Sequence, residues 1–131
     1  MMNTYYTGGT SKTPEINLNP ENGDLLFKGR SIPENSIEFY QPIFKWMETY
    51  SESPAEYTTL HMQLEYFNTA SSKCLLDIFK KLEKVKSTGK PVIVKWYYED
   101  DDEDMLEAGE DYESIINIPF EMIEVEGSSG Y

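Results

Sequence analysis

One cysteine and one histidine are all that 131 residues offer of the soft metal ligands and thiol chemistry. A lone Cys74 forms no intrachain disulfide, which suits a reducing cytoplasm. Zinc-type Cys/His spacing is absent with it, as are a glycine-rich phosphate loop and a glycine nucleophile elbow. No catalytic residue, metal site or cofactor is therefore expected. Basic residues are scarce too: 11 Lys and Arg stand against 24 Asp and Glu, a formal net charge of −13. That balance argues against gripping nucleic acid over a wide surface, which needs clustered cations. It also disfavours adhesion to an anionic membrane. No run approaches the ~20 apolar residues of a membrane span. The opening Met1-Met2-Asn3-Thr4-Tyr5-Tyr6 has no basic stretch before an apolar one, so no secretory signal is expected.

Aromatic residues, by contrast, are plentiful: two Trp, ten Tyr and six Phe. They supply enough apolar area to make a folded core the expectation despite the charge. The length fits one domain, which buries roughly two thirds of the surface its unfolded chain exposes. Residues 1–12 read as a flexible polar tail, 13–126 as the domain and 127–131 as a second flexible tail.

Hydrophobic periodicity orders the domain. Thr13 to Asn19 and Leu25 to Lys28 read as strands joined at Asn19-Pro20-Glu21-Asn22-Gly23-Asp24, where Asn-Gly supplies the positive φ of a hairpin turn. Gly29 is expected to end the second strand. Ile37, Tyr40, Phe44, Met47 and Tyr50 step at helical spacing. Pro42 falls inside that pattern, so the helix either kinks there or begins near Phe39. Thr58 to Phe67 alternates, with Leu60, Met62, Leu64 and Tyr66 on one side and His61, Gln63 and Glu65 on the other, as in a half-buried strand. Lys73 to Ser87 is an amphipathic helix burying Cys74, Leu75, Ile78, Phe79, Leu82 and Val85, stopped by Thr88-Gly89. Pro91 to Tyr98 is β-branched and aromatic. A helix through Met105 to Ile116 and a strand from Phe120 to Val125 complete the chain. Helices alternating with the later strands imply parallel crossovers. The expected fold is a single α/β domain with a mixed sheet, opened by an antiparallel hairpin, and with helices mainly on one face.

Few segments carry chemistry. His61 lies mid-strand with no third group nearby to position it for catalysis, and reads as an ordinary strand residue. Cys74 falls on an apolar helix face, where packing is the default. The run Glu99-Asp100-Asp101-Asp102-Glu103-Asp104 lacks the spaced ligands and sixth-position Gly of a calcium loop. It reads first as a solvated helix start, then as a docking surface for a basic partner, and last as a metal-binding segment. Asn68-Thr69-Ala70-Ser71-Ser72 joins a strand end to the N-terminus of the best helix. Free backbone N–H groups there favour a negative ligand. A hydroxyl at that place either caps the helix or accepts a phosphate, helped by the dipole and by Lys73.

Several segments together resemble the SiaC family of bacterial regulatory phosphoproteins. They are Thr13-Pro14-Glu15, Ser31-Ile32-Pro33-Glu34-Asn35-Ser36, Tyr66-Phe67-Asn68-Thr69-Ala70-Ser71-Ser72-Lys73, and Trp96-Tyr97-Tyr98 before the acidic segment. The resemblance runs from about Thr13 to Val125. It implies a STAS-like fold, like the anti-sigma-factor antagonists, and a partner-switching module in place of an enzyme. It further implies a serine/threonine kinase of the SiaB type, a PP2C-like phosphatase of the SiaA type, and a target such as a diguanylate cyclase bound by the unmodified form. The family's phosphoacceptor corresponds to Thr69, with Ser71 and Ser72 as alternative acceptors. In the family pattern two serines follow that threonine directly, whereas here Ala70 intervenes. Pro33, Glu34, Asn35, Asn68 and Lys73 are the expected partner-binding residues. The rival readings are a constitutive binding module in which Thr69 only caps a helix, and an acidic metal-binding protein.

Overall fold

A computed structural model describes residues 2–126. Six strands form one sheet in the order of the chain: β1 (Tyr5–Thr7), β2 (Glu15–Leu18), β3 (Asp24–Ser31), β4 (Thr58–Phe67), β5 (Val92–Glu99) and β6 (Phe120–Val125). The β1–β2 and β2–β3 pairs are antiparallel; β3–β4, β4–β5 and β5–β6 are parallel. Three helices make the crossovers: α1 (Ser36–Tyr50), α2 (Thr69–Ser87) and α3 (Glu103–Ile115). Each crossover moves one strand over in the same direction, so the right-handed rule stacks all three helices on one face. Burial agrees. Leu25, Phe27, Leu60, Met62, Leu64, Val92, Val94 and Trp96 are buried, while the intervening Leu26, His61, Gln63, Ile93, Lys95 and Tyr97 are half-buried. The expected mixed sheet, with its opening hairpin and one-sided helices, is the observed one.

Several local readings need correction, among them the start of α2, which lies at Thr69 and not at Lys73. The stretch 1–12 is not wholly a tail: residues 5–7 pair with β2, and the Trp46 indole donates to the Asn3 carbonyl at 2.9 Å. A three-residue strand has no periodicity of its own; the free edge of β2 specifies it. Residues 127–131, the expected C-terminal tail, lie outside the described residues. Gly29 does not end β3. It adopts φ 117° beside a register shift, and the strand continues to Ser31. The helix α1 runs from Ser36 through Pro42, with no later start near Phe39. Pro42 and Glu38 both lie on the exposed side, where the carbonyl that loses its helical donor meets water. Ile37, expected in the core, is 69% exposed, and Ile43 and Trp46 are buried in its stead.

The register shift sets how the chain enters α2. Gly29 pairs with Leu64, but Arg30 pairs with Tyr66, so Glu65 is an extra residue in β4. A bulge reverses the alternation beyond it. Tyr66, expected on the buried side, is 51% exposed. Phe67 turns inward, its ring edge-on to Trp96 at 6.1 Å. The chain therefore leaves β4 one residue out of phase, and Asn68 comes directly after.

Candidate functional site

Parallel strands end at a common sheet edge, and in open α/β sheets ligands bind outside the carboxyl ends of the strands. Here that edge gathers three strand–helix junctions: β3–α1 with Pro33-Glu34-Asn35, β4–α2 with Asn68-Thr69, and β5–α3 with the acidic run. All the segments singled out in the sequence for partner binding or modification thus meet at one edge.

Asn68 is the N-cap of α2. Its backbone is extended, and its Oδ1 accepts from the Ser71 N–H at 2.8 Å. The capping role considered for Thr69 therefore belongs to its neighbour, because the residue with extended backbone just outside the helix is the one whose side chain reaches the free N–H groups. Thr69 is the first helical residue and is exposed. Asn35 caps α1 in the same way, accepting from Glu38 N–H at 3.1 Å, and Asp102 caps α3 through Met105 N–H at 2.9 Å. The first turns of α1 and α3 carry acids (Glu38; Glu103 and Asp104), which favour those helix dipoles. The first turn of α2 has none.

Ser71 and Ser72, the alternative acceptors, are held differently. Ser71 is fully buried. Its Oγ donates to the Ser31 carbonyl at 3.0 Å and accepts from Ser31 Oγ at 2.8 Å. With the Ser31 proton so used, the Tyr40 hydroxyl, 2.6 Å away, must donate to Ser31. With its own proton committed to the carbonyl, Ser71 receives the Ser36 hydroxyl, which lies 3.4 Å off. The result is a directed chain of hydroxyls, from Tyr40 through Ser31 to Ser71, that ties the end of β3 and the starts of α1 and α2 together. Burial holds the Tyr40 phenol well above its ordinary pKa of 10.0, so it stays a donor. Ser72 is half-buried, and its hydroxyl donates to the Thr69 carbonyl at 2.6 Å. The Tyr112 hydroxyl of α3 donates to the Ser72 carbonyl at 2.8 Å, which lays α3 against the first turn of α2.

Pro33 is buried, Glu34 and Asn35 are exposed, and the Ser36–Ser71 contact sets them beside the α2 start. Lys73 is exposed on that helix. A shallow pocket of about 320 Å³ lies between Tyr66, Phe67 and the α3 residues Asp104, Met105 and Ala108. A larger open groove of about 760 Å³, between β1 and α1, lies away from this edge. Among the described residues no group of three or more His, Cys, Asp or Glu is placed to hold a metal ion. His61 is on the open sheet face, its Nδ1 3.1 Å from the Tyr97 hydroxyl, and Cys74 is buried in α2. Sequence reasoning missed the roles of Ser31, Ser36 and Tyr40, because bonds across 9, 35 and 40 residues leave no local signal.

Exposed groups of Glu34, Asn35 and Thr69 over a buried hydroxyl network, at one edge of a one-sided sheet, belong to a protein of the single-sheet α/β class. Comparison narrows the class to a family. Residues 7–125 match the SiaC family of regulatory phosphoproteins, and the chain belongs to it. An uncharacterized protein of Pseudomonas aeruginosa strain UCBPP-PA14 is 32% identical over 119 residues, 91% of this chain and 94% of its own. The crystal structure of apo-SiaC from Pseudomonas aeruginosa superimposes with a TM-score of 0.84 at 31% identity, covering 93% of this chain and 99% of that one. The structure of the diguanylate cyclase SiaD in complex with its activator SiaC, also from Pseudomonas aeruginosa, matches with a TM-score of 0.85 at 30% identity, covering 92% and 99%. No helix among the described residues is long and apolar enough to cross a membrane.

Proposed function

We propose that this chain is a partner-binding regulator switched by phosphorylation of Thr69. A serine/threonine kinase of the SiaB type adds the phosphate, and a PP2C-like phosphatase of the SiaA type removes it. The unmodified form binds a target such as a diguanylate cyclase, the class of protein that SiaC itself is found with. The observation that carries this reading is the division of labour at the junction: Asn68 makes the cap, and Thr69 is exposed on the first turn. Of the three hydroxyls in the segment, Ser71 is buried in the network and Ser72 is tied to Thr69, so Thr69 is the acceptor a kinase reaches most readily.

The physics of the switch is direct. A phosphate adds about −1.5 to −2 charges and three strong acceptors. On the first turn of α2 it gains from the helix dipole, so the fold survives. A partner packed over a neutral Thr69 must then desolvate a dianion, which costs several kcal/mol when unpaired, while ~1.4 kcal/mol is already tenfold in affinity. The acidic start of α3 adds repulsion, since Asp102 and Asp104 line a pocket with Tyr66 and Phe67, just before Asn68 and Thr69.

Phosphopeptide mapping of protein from its native cells tests the acceptor, with phosphate expected on Thr69. A binding assay on a diguanylate cyclase from the same cells tests the switch. Thr69→Glu is expected to lose binding that Thr69→Ala retains, with unchanged circular dichroism. Equal binding by wild type and Thr69→Glu would indicate a constitutive module and refute the switch.

A further inference from the structure

The strand β6 ends the sheet, and among the described residues no strand pairs with its outer side. Its ladder to β5 shows which groups are left over. Val94 N–H bonds the Pro119 carbonyl, and Asp100 N–H bonds the Val125 carbonyl. In a parallel ladder alternate residues face the neighbour, so the odd positions from 119 to 125 are inward. Phe120, Met122 and Glu124 therefore turn both N–H and C=O outward. That is a six-residue edge of the kind an added strand completes.

Charge decides what fits there. Residues 99–126 contain thirteen of the 24 acidic residues and none of the 11 basic ones, leaving 11 acids against all 11 bases in the first 98. The whole formal charge of −13 thus belongs to the loop, helix and strand around this edge. Glu121 and Glu124 of β6 are both exposed, on opposite faces of the strand. Glu124 accepts from the Tyr98 hydroxyl at 3.4 Å, and desolvation first, then the charges of Glu124 and of Glu110 on α3, push that phenol's pKa upward. A second copy of the chain brought to this edge would set glutamates against glutamates. Ile123 and Val125 are half-buried on the open face, beside Glu121.

We infer that the open edge of β6 is a docking site for a basic, extended segment of a partner protein, which adds to the sheet as a seventh strand. Backbone pairing with Phe120, Met122 and Glu124 provides the attachment. Lysines or arginines at alternate positions meet Glu124 and Glu110 on the helix face, and apolar side chains cover Ile123 and Val125 on the other. This edge runs along β6, whereas Thr69 lies at the strand ends, so the inference stands apart from the phosphorylation reading.

The probe is a fluorescent, N-acetylated octapeptide alternating Lys and Val, titrated into the full chain and followed by anisotropy and by amide hydrogen exchange. Binding is expected, weakening with salt, and the Phe120, Met122 and Glu124 amides are expected to gain protection. An N-methylated peptide of equal charge, unable to pair, is expected to bind about fivefold more weakly or worse. The variant Glu124→Pro removes one outward N–H without touching the β5 ladder and should weaken the Lys-Val peptide as much, while Glu124→Gln separates charge from pairing. Equal binding of the N-methylated peptide, binding without protection of those amides, or no binding at low salt each overturns the proposal. The peptide comparison uses the wild-type chain, so it holds even if Glu124→Pro fails to fold.

Discussion

Gly109 sits on α3 over the indole of Trp96, and replacing it by alanine tests the packing of the third crossover. A Cβ at Gly109 would lie 2.6 Å from both Cδ1 and Nε1 of the ring and 2.8 Å from Cγ. The ring has little room to retreat. Trp96 is fully buried, its Nε1 donates to the Met105 carbonyl at 2.9 Å, and Phe67, Phe79 and Tyr112 pack around it. Helix propensity alone predicts that alanine stabilises α3 by about 1 kcal/mol. Overpacking a filled core costs about 1–3 kcal/mol, and disturbing the indole bond costs about 1 kcal/mol more. Steric conflict therefore wins by about 2 kcal/mol, a fall in Tm of about 8 °C for a domain of this size. Thermal and urea denaturation, read by circular dichroism, measure it. Trp96→Phe opens space, so the same substitution in that background should cost at least ~1 kcal/mol less. An unchanged or raised Tm for Gly109→Ala would refute the argument, as would strict additivity with Trp96→Phe.

The site and the open sheet face yield three further outcomes. Asn68→Ala removes the α2 cap and should cost about 1 kcal/mol in urea denaturation, whereas Thr69→Ala should change stability by no more than about 0.5 kcal/mol. Ser71→Ala takes away the acceptor for the buried Ser31 proton and should cost about 1–3 kcal/mol, measured the same way. Burial holds the His61 pKa below its ordinary 6.5. The folded state then binds less proton than the unfolded one, so the stability His61 contributes is complete above pH 6.5 and declines as pH falls through the folded pKa. Urea midpoints between about pH 7.5 and 5 should show a shallower acid-side loss in His61→Gln than in wild type, and parallel curves would contradict this.

Much of this structure is legible in the sequence because its signals are periodic. The α2 face from Cys74 to Val85 and the alternation of β4 up to Leu64 come from spacing, since burying one face imposes a period of 3.6 or 2. The start of α2 is not: Thr69 to Ser72 are small and mostly polar and look like a loop, yet they form the first turn, because a capped N-terminus needs no large apolar residues. The site is legible as a segment and not as an arrangement. That Asn68 caps, that Ser71 is buried, and that Ser36 joins it are facts of strand phase and helix contact. Tyr66 shows the same limit, since its side is misread for want of one inserted residue that alternation gives no warning of.

That inserted residue makes β4 a strand with two reading frames. Up to Leu64, odd and even positions mean solvent and core; after Glu65 the meanings exchange, and Phe67 rather than Tyr66 faces Trp96. Deleting Glu65 would remove the exchange and leave one frame throughout. Every residue upstream would keep its place, Tyr66 would follow Leu64 directly and still face outward opposite Arg30, and Phe67 would still turn towards Trp96. The count from the Arg30–Tyr66 pair to the α2 cap would not change, so Asn68 would keep its bond to the Ser71 N–H. The ladder therefore counts β4 without Glu65, the one residue from Thr59 to Phe67 that no β3 residue is paired with.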